Sequence, residues 1–65
     1  MMQADYPKLT LTVAEAATIL GVSLPTAYTL VHSAGFPAFT IGRKLLISRQ
    51  GLEKWIAQQA GILTQ

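Results

Sequence analysis

Hydrophobic and polar positions follow one period and then another along this chain. In "LTLTV" the apolar Leu9, Leu11 and Val13 alternate with Thr10 and Thr12. That alternation predicts a short strand at Leu9–Leu11. From Val13 the period lengthens, and Val13, Ala16, Ala17 and Leu20 fall at i, i+3, i+4 and i+7, one face of a helix. Thr12 with Glu15 three residues later predicts a capping box at its start. Gly21 predicts its end, because a left-handed backbone costs little without a Cβ.

Only Gly21 and Val22 separate this helix from the next start signal. Ser23 is a good N-cap, and Pro25 falls in the first turn, where its missing N–H costs little. Ala27, Leu30, Val31 and Ala34 then form an inward stripe, with Gly35 and Pro37 marking the stop. The pattern next returns to alternation. Phe39 and Ile41 flank Thr40, and Leu45, Leu46 and Ile47 form a β-prone run. Together they predict a hairpin with its tip at Gly42, Arg43 and Lys44.

Ser48 should cap a third helix, on which Leu52, Trp55, Ile56 and Gln59 share one face. Trp55 and its apolar neighbours are the expected core anchor. Gly51 should weaken this helix by up to about 1 kcal/mol relative to Ala, and Gly61 should end it. Two short helices joined by a tight turn, then a hairpin, then a third helix is the order of a winged helix-turn-helix, mostly α with a small β-hairpin wing. Small residues at Ala17, Gly21 and Ala27 let the first two helices cross closely, with Leu20, Val22 and Leu30 filling the space between them. The expected layout is a tail at 1–8, the domain at 9–60 and a tail at 61–65.

Composition narrows the chemistry. With 65 residues, one domain is the sensible count, and a domain of that size buries only about 60 % of the surface its unfolded chain exposes. There is no Cys and a single His, so neither a disulfide nor a metal site is expected, and no cofactor. The three acids include no evident pair, and no glycine-rich phosphate loop is present, so no catalytic residues are expected. No stretch approaches the roughly 20 apolar residues that cross a bilayer. "MMQADYPKL" has no charged region followed by an apolar run, so it does not read as a secretory signal. The expected location is a reducing cytoplasm, with no membrane partner and no small-molecule substrate.

Net charge is +2, and its distribution matters more than its size. Residues 1–35 hold Lys8 against Asp5 and Glu15, a balance of −1. Residues 36–65 hold Arg43, Lys44, Arg49 and Lys54 against Glu53, a balance of +3. A basic patch on one part of a small domain is the footprint expected for a polyanion partner.

The stretch "LTVAEAATILGVSLPTAYTLVHSAGFPAFTIGRKLLISRQGLEKWI" resembles the excisionase-type DNA-binding domain. That family is a small winged helix-turn-helix related to the N-terminal domain of mercury-resistance-type regulators. The resemblance rests on the start at Thr12 to Ala17, the turn at Leu20 to Ser23, and Thr26 to Tyr28 in the second helix. It continues through Phe36–Pro37, the wing tip at Ile41 to Lys44, and the closing helix at Leu52 to Ile56. It implies double-stranded DNA as the partner. It also implies a role in excision of a phage or mobile element, alongside a site-specific recombinase (integrase) and further copies of the protein on DNA. A small transcription regulator of the same fold is the alternative, and a protein-interaction module with residual DNA binding is another. A mercury-resistance-type regulator would also need a long coiled-coil dimerisation helix and an effector domain, which these 65 residues are expected to be too short to hold.

One departure from the family is chemical. Members usually carry Arg or Lys at the position of Leu24 and often Arg at or near Thr29, so the second helix here has no cation. Its outward residues are expected to be Pro25, Tyr28, Thr29 and His32, with Thr26 on the flank. Tyr28 and Thr26 can donate to phosphates, which set register without reading sequence; Ser23 is first a cap, a role that does not exclude a phosphate contact. Thr29 can meet a thymine methyl or a base edge, and His32 can donate at its ring nitrogens. A bidentate Arg–guanine contact, worth about 1–3 kcal/mol, is missing. The wing pair Arg43 and Lys44, with Arg49 in the first turn of the third helix, should supply the charge instead. The expected DNA-binding set is therefore Ser23, Leu24, Pro25, Thr26, Tyr28, Thr29, His32, Arg43, Lys44 and Arg49.

Overall fold

A computed structural model describes residues 8–61; of the tails expected at 1–8 and 61–65, residues 1–7 and 62–65 lie outside the described residues. The elements run β1 (Thr10–Leu11), α1 (Val13–Leu20), α2 (Leu24–Val31), β2 (Ala38–Ile41), β3 (Lys44–Ser48) and α3 (Arg49–Gln59). Three helices and a small antiparallel sheet make this a winged helix-turn-helix. Among the described residues, no single helix is long and apolar enough to cross a membrane.

The α1 start is a complete capping box. Thr12 Oγ1 accepts the Glu15 N–H at 3.0 Å, and Glu15 Oε1 accepts the Thr12 N–H at 2.9 Å, so two orphan donors of the first turn are satisfied reciprocally. Glu15 also pairs with the Lys8 ammonium at 2.7 Å. Lys8 therefore has a contact in the domain, although the sequence pattern assigns it to the tail. At the other end Gly21 adopts φ 73°. The Val22 N–H donates to the Ala17 carbonyl at 3.0 Å and the Gly21 N–H to that of Thr18 at 3.2 Å. This is a Schellman motif, which satisfies carbonyls that α1 would otherwise leave open.

Ser23 Oγ accepts the Thr26 N–H at 3.3 Å, so α2 begins at the position its sequence signals indicate. The chain turns by 110° between α1 and α2, within the range of a helix-turn-helix. Ala16, Ala17, Ala27 and Val31 are buried where the helices meet. The end of α2 differs from expectation. The helix stops at Val31 rather than running on toward Gly35, and Ala34 is exposed rather than part of the inward stripe. The reason is local: the Ser33 N–H and Ser33 Oγ both donate to the Leu30 carbonyl, at 2.9 and 2.7 Å. A serine competing for a carbonyl in this way ends the regular ladder. Gly35, at φ 85°, belongs to the turn that follows.

The sheet order is β1-β3-β2. Ile47 on the central strand faces Leu11 on one side and Ala38 on the other and is fully buried. The expected strand at Leu9–Leu11 begins at Thr10, and Leu9 is 82 % exposed. In the wing, Ile41 pairs with Lys44, which leaves a two-residue turn of Gly42 and Arg43 rather than a three-residue tip. Gly42 has φ 60° and Arg43 has negative φ, the pattern of a type II′ turn whose twist suits a hairpin.

Ser48 both closes β3 and caps α3, its Oγ accepting the Gly51 N–H at 2.9 Å. Leu52 is buried as expected, but α3 offers a narrower inner face than its apolar spacing suggests. Ile56 is 37 % exposed and Gln59 is exposed. Trp55 is half-buried and lies edge-on to Phe36, ring centroids 5.0 Å apart at 74°. Phe36, from the link between α2 and β2, fills the buried place expected of Trp55 and its neighbours.

Candidate nucleic-acid interface

The second helix of the motif presents all of the expected residues to solvent. Leu24 and Tyr28, one turn apart, are 45 % and 47 % exposed; Ser23, Pro25, Thr26, Thr29 and His32 are exposed with them. Ala27 and Val31 face the core, with Leu30 packed against it. The sequence-based division of α2 into an inner and an outer face therefore agrees with the structure.

Hydrogen bonding sorts the hydroxyls. Ser23 Oγ donates to Thr26 Oγ1 at 2.9 Å, so its proton is committed. Thr29 Oγ1 donates to the Pro25 carbonyl at 3.2 Å, so its proton turns back onto the helix. Thr26 Oγ1 accepts from Ser23 and keeps its own proton for another acceptor. The Tyr28 hydroxyl is the second donor on this side of α2. His32 sits just past the last turn, its backbone N–H held by the Thr29 and Leu30 carbonyls and its ring exposed. The first turn of α2 contains neither acid nor base.

The wing carries the cations. Arg43 occupies the tight turn and Lys44 opens β3, both exposed. The register also puts Phe39, Ile41, Lys44 and Leu46 on one side of the hairpin, opposite the side of Ala38 and Ile47. Ile41 and Phe39 remain exposed there. The alternation of residues 39–41 is legible in the sequence, but period two alone does not say which side meets water.

Arg49 lies elsewhere. The four-residue step along β3 from Lys44 to Ser48 spans about 13 Å, so Arg49 stands at the opposite end of that strand from the wing turn. Its Nη1 donates to the Lys8 carbonyl at 3.3 Å and its N–H to the Leu9 carbonyl at 3.0 Å. It borders an open groove with Lys8, Leu11, Glu15, Thr18 and Ile19. A cation in the first turn of a helix opposes the helix dipole, and here its local partner is a carbonyl of the chain entering β1. In the same groove, the Lys8 ammonium, followed by the Thr12 backbone N–H, holds the Glu15 carboxyl below its ordinary value.

A helix-turn-helix whose second helix is exposed along one face, followed by a basic hairpin, defines a DNA-binding domain. The comparison with known families agrees: a family model described as a helix-turn-helix domain matches residues 10–60. The chain belongs to that family, the excisionase-type helix-turn-helix domains, and membership implies DNA binding. No curated protein and no solved structure matches the chain.

Proposed function

We propose that this protein is an excisionase-like architectural factor of a phage or other mobile element. It lays α2 in the major groove of duplex DNA and sets the wing on the sugar–phosphate backbone. The observation that carries the reading is the division of labour between the two parts. The wing presents Arg43 and Lys44 together on a tight, exposed turn, while α2 presents an exposed face without a cation. Phosphate neutralisation by cations supplies most sequence-independent affinity, so affinity falls to the wing and selectivity to the helix. Thr26 and Tyr28 add hydroxyl donors to phosphates, and His32 reaches from the C-terminal end of α2.

One such domain with three or four phosphate contacts binds modestly. Bending a short site by 40–90° costs on the order of 1–6 kcal/mol, so several copies on adjacent sites, with a recombinase as the further partner, offset that cost. Transcription control at the element's own promoter would use the same surface.

The test is selection of bound duplexes from a random-sequence pool, with an Arg43→Ala, Lys44→Ala variant run in parallel. Enrichment of a short site that the variant loses supports a wing-dependent DNA reader, and tandem copies of the site support the architectural role. No enrichment, with no binding even at low salt, overturns the reading.

A further inference from the structure

We infer that α2 selects its site by the C5-methyl groups of pyrimidines, with Leu24 as the specificity-determining residue and the Thr29 methyl beside it. The inference rests on the DNA-binding reading above and goes further, naming the chemical group that is read.

Donors and acceptors decide what α2 can read. The major groove offers a helix hydrogen-bonding atoms on every base pair and a single apolar feature, the methyl group of thymine. Recognition helices of this motif meet base edges with their N-terminal residues. The N-terminal residue of α2 is Leu24, which has no polar atom in its side chain and is 45 % exposed. Pro25 beside it has no N–H to give. Thr29, one turn on from Pro25, has its hydroxyl proton bound to the Pro25 carbonyl at 3.2 Å. Ser23 has its own bound to Thr26 Oγ1. The side chains of Leu24 and Pro25, the first two residues of the helix, offer the groove hydrocarbon alone. The Thr26 hydroxyl and the Tyr28 phenol are the free donors nearby, and both chemistries suit phosphate oxygens.

A single exposed leucine needs no explanation. Leu24, Pro25 and Tyr28 are different because they are contiguous on the helix that the family presents to DNA. Water around hydrocarbon in a groove is displaced favourably only by another apolar group, and the thymine methyl is the one the groove holds. Leu24 therefore distinguishes thymine from cytosine by contact with a methyl, where a cation at the same place would select guanine.

The experiment uses the full chain and a duplex enriched by the selection above. Each thymine is replaced in turn by deoxyuridine, which removes the methyl and leaves the base-pairing edge intact. Wild type is expected to lose affinity about fourfold at the methyl that Leu24 covers, the ratio given by ~0.8 kcal/mol per buried methyl-sized group. Leu24→Ala is expected to bind more weakly and to lose that sensitivity, while its thermal melt stays near that of wild type because Leu24 is half-exposed. Replacing a sensitive thymine by 5-methylcytosine should cost less than replacing it by cytosine. Full affinity for the all-deoxyuridine duplex, still dependent on Arg43 and Lys44, overturns the methyl readout and leaves DNA binding standing. Deoxyuridine sensitivity that persists in Leu24→Ala comes from DNA shape and also overturns it. Absence of binding to either duplex overturns both readings.

Discussion

Gly51 lies directly against Pro37: a Cβ on Gly51 would stand 2.6 Å from the Pro37 Cβ, and 3.1 and 3.2 Å from the Oγ and Cβ of Ser48. The Pro37 carbonyl in turn accepts the Ser48 N–H at 2.9 Å. This packing fixes the start of α3 on the link that leads into the wing. Helix propensity alone favours Gly51→Ala by up to about 1 kcal/mol. The contact reverses the sign, since forcing a methyl against a proline ring and a capping serine costs about 1–3 kcal/mol. Gly51→Ala is expected to lower the melting temperature, by about 4–8 °C per kcal/mol of net loss in a domain of this size. A higher melting temperature would show that α3 can shift away from Pro37 without cost.

Phe36 gives a second stability test. It is buried, and the half-buried Trp55 stands edge-on to it. Phe36→Ala is expected to cost about 3–5 kcal/mol, most of the stability of a small domain. Fluorescence of the single Trp should show the unfolding transition moving to much lower denaturant. A shift below about 1 kcal/mol would mean that Phe36 contributes little to the core.

Glu15 makes the α1 cap sensitive to acid. Its folded-state pKa is depressed, first by the Lys8 hydrogen bond and then by the Thr12 N–H. A depressed carboxyl contributes stability that is present above its unfolded value and lost as pH falls through the folded value. Glu15→Gln keeps an acceptor for the capping box but gives up the ion pair with Lys8. The difference in melting temperature between wild type and Glu15→Gln should be greatest near neutral pH and shrink on acidification below the ordinary carboxylate range. A difference constant across that range would contradict the pairing. High salt should shrink it as well, because the pair is exposed.

Arg43 and Arg49 should behave differently. Arg43→Ala is expected to reduce the salt dependence of DNA binding by about 0.9 in the slope of log affinity against log salt and to leave stability nearly unchanged. Arg49→Ala is expected to leave that slope in place and to loosen the chain leading into β1 at Lys8, whose carbonyl the guanidinium holds. Faster amide exchange in β1 would report the loosening. A slope change for Arg49→Ala as large as that for Arg43→Ala would place a phosphate at the far end of β3.

Most of the element order is legible in the sequence because its signals are local. Thr12 with Glu15, Ser23 and Ser48 cap the helices that the apolar spacing predicts, and Gly21 ends the first. The outward set on α2 follows from three inward residues, Ala27, Leu30 and Val31. What stays hidden depends on packing between distant parts of the chain. Gly51 reads as a weak point in a helix until Pro37 is set against it. Arg49 reads as one more cation until its guanidinium is found on the Lys8 carbonyl. Ile56 and Gln59 fall at the right spacing for burial, yet both stay open to solvent, and Phe36 fills the core from a segment without periodicity. Ala34 departs from the pattern for a smaller reason, a serine hydroxyl that takes the Leu30 carbonyl one turn early.

The central claim is that the wing supplies the charge for a DNA-reading helix that has none. The most direct measurement is the affinity of wild type and the Arg43→Ala, Lys44→Ala variant for one selected duplex across a series of salt concentrations. The account predicts a wild-type slope of log affinity against log salt of about −1.8, from the two wing cations at roughly 0.9 each, and a slope close to zero in the variant. A wild-type slope near zero, or a variant whose slope equals that of wild type, would contradict it.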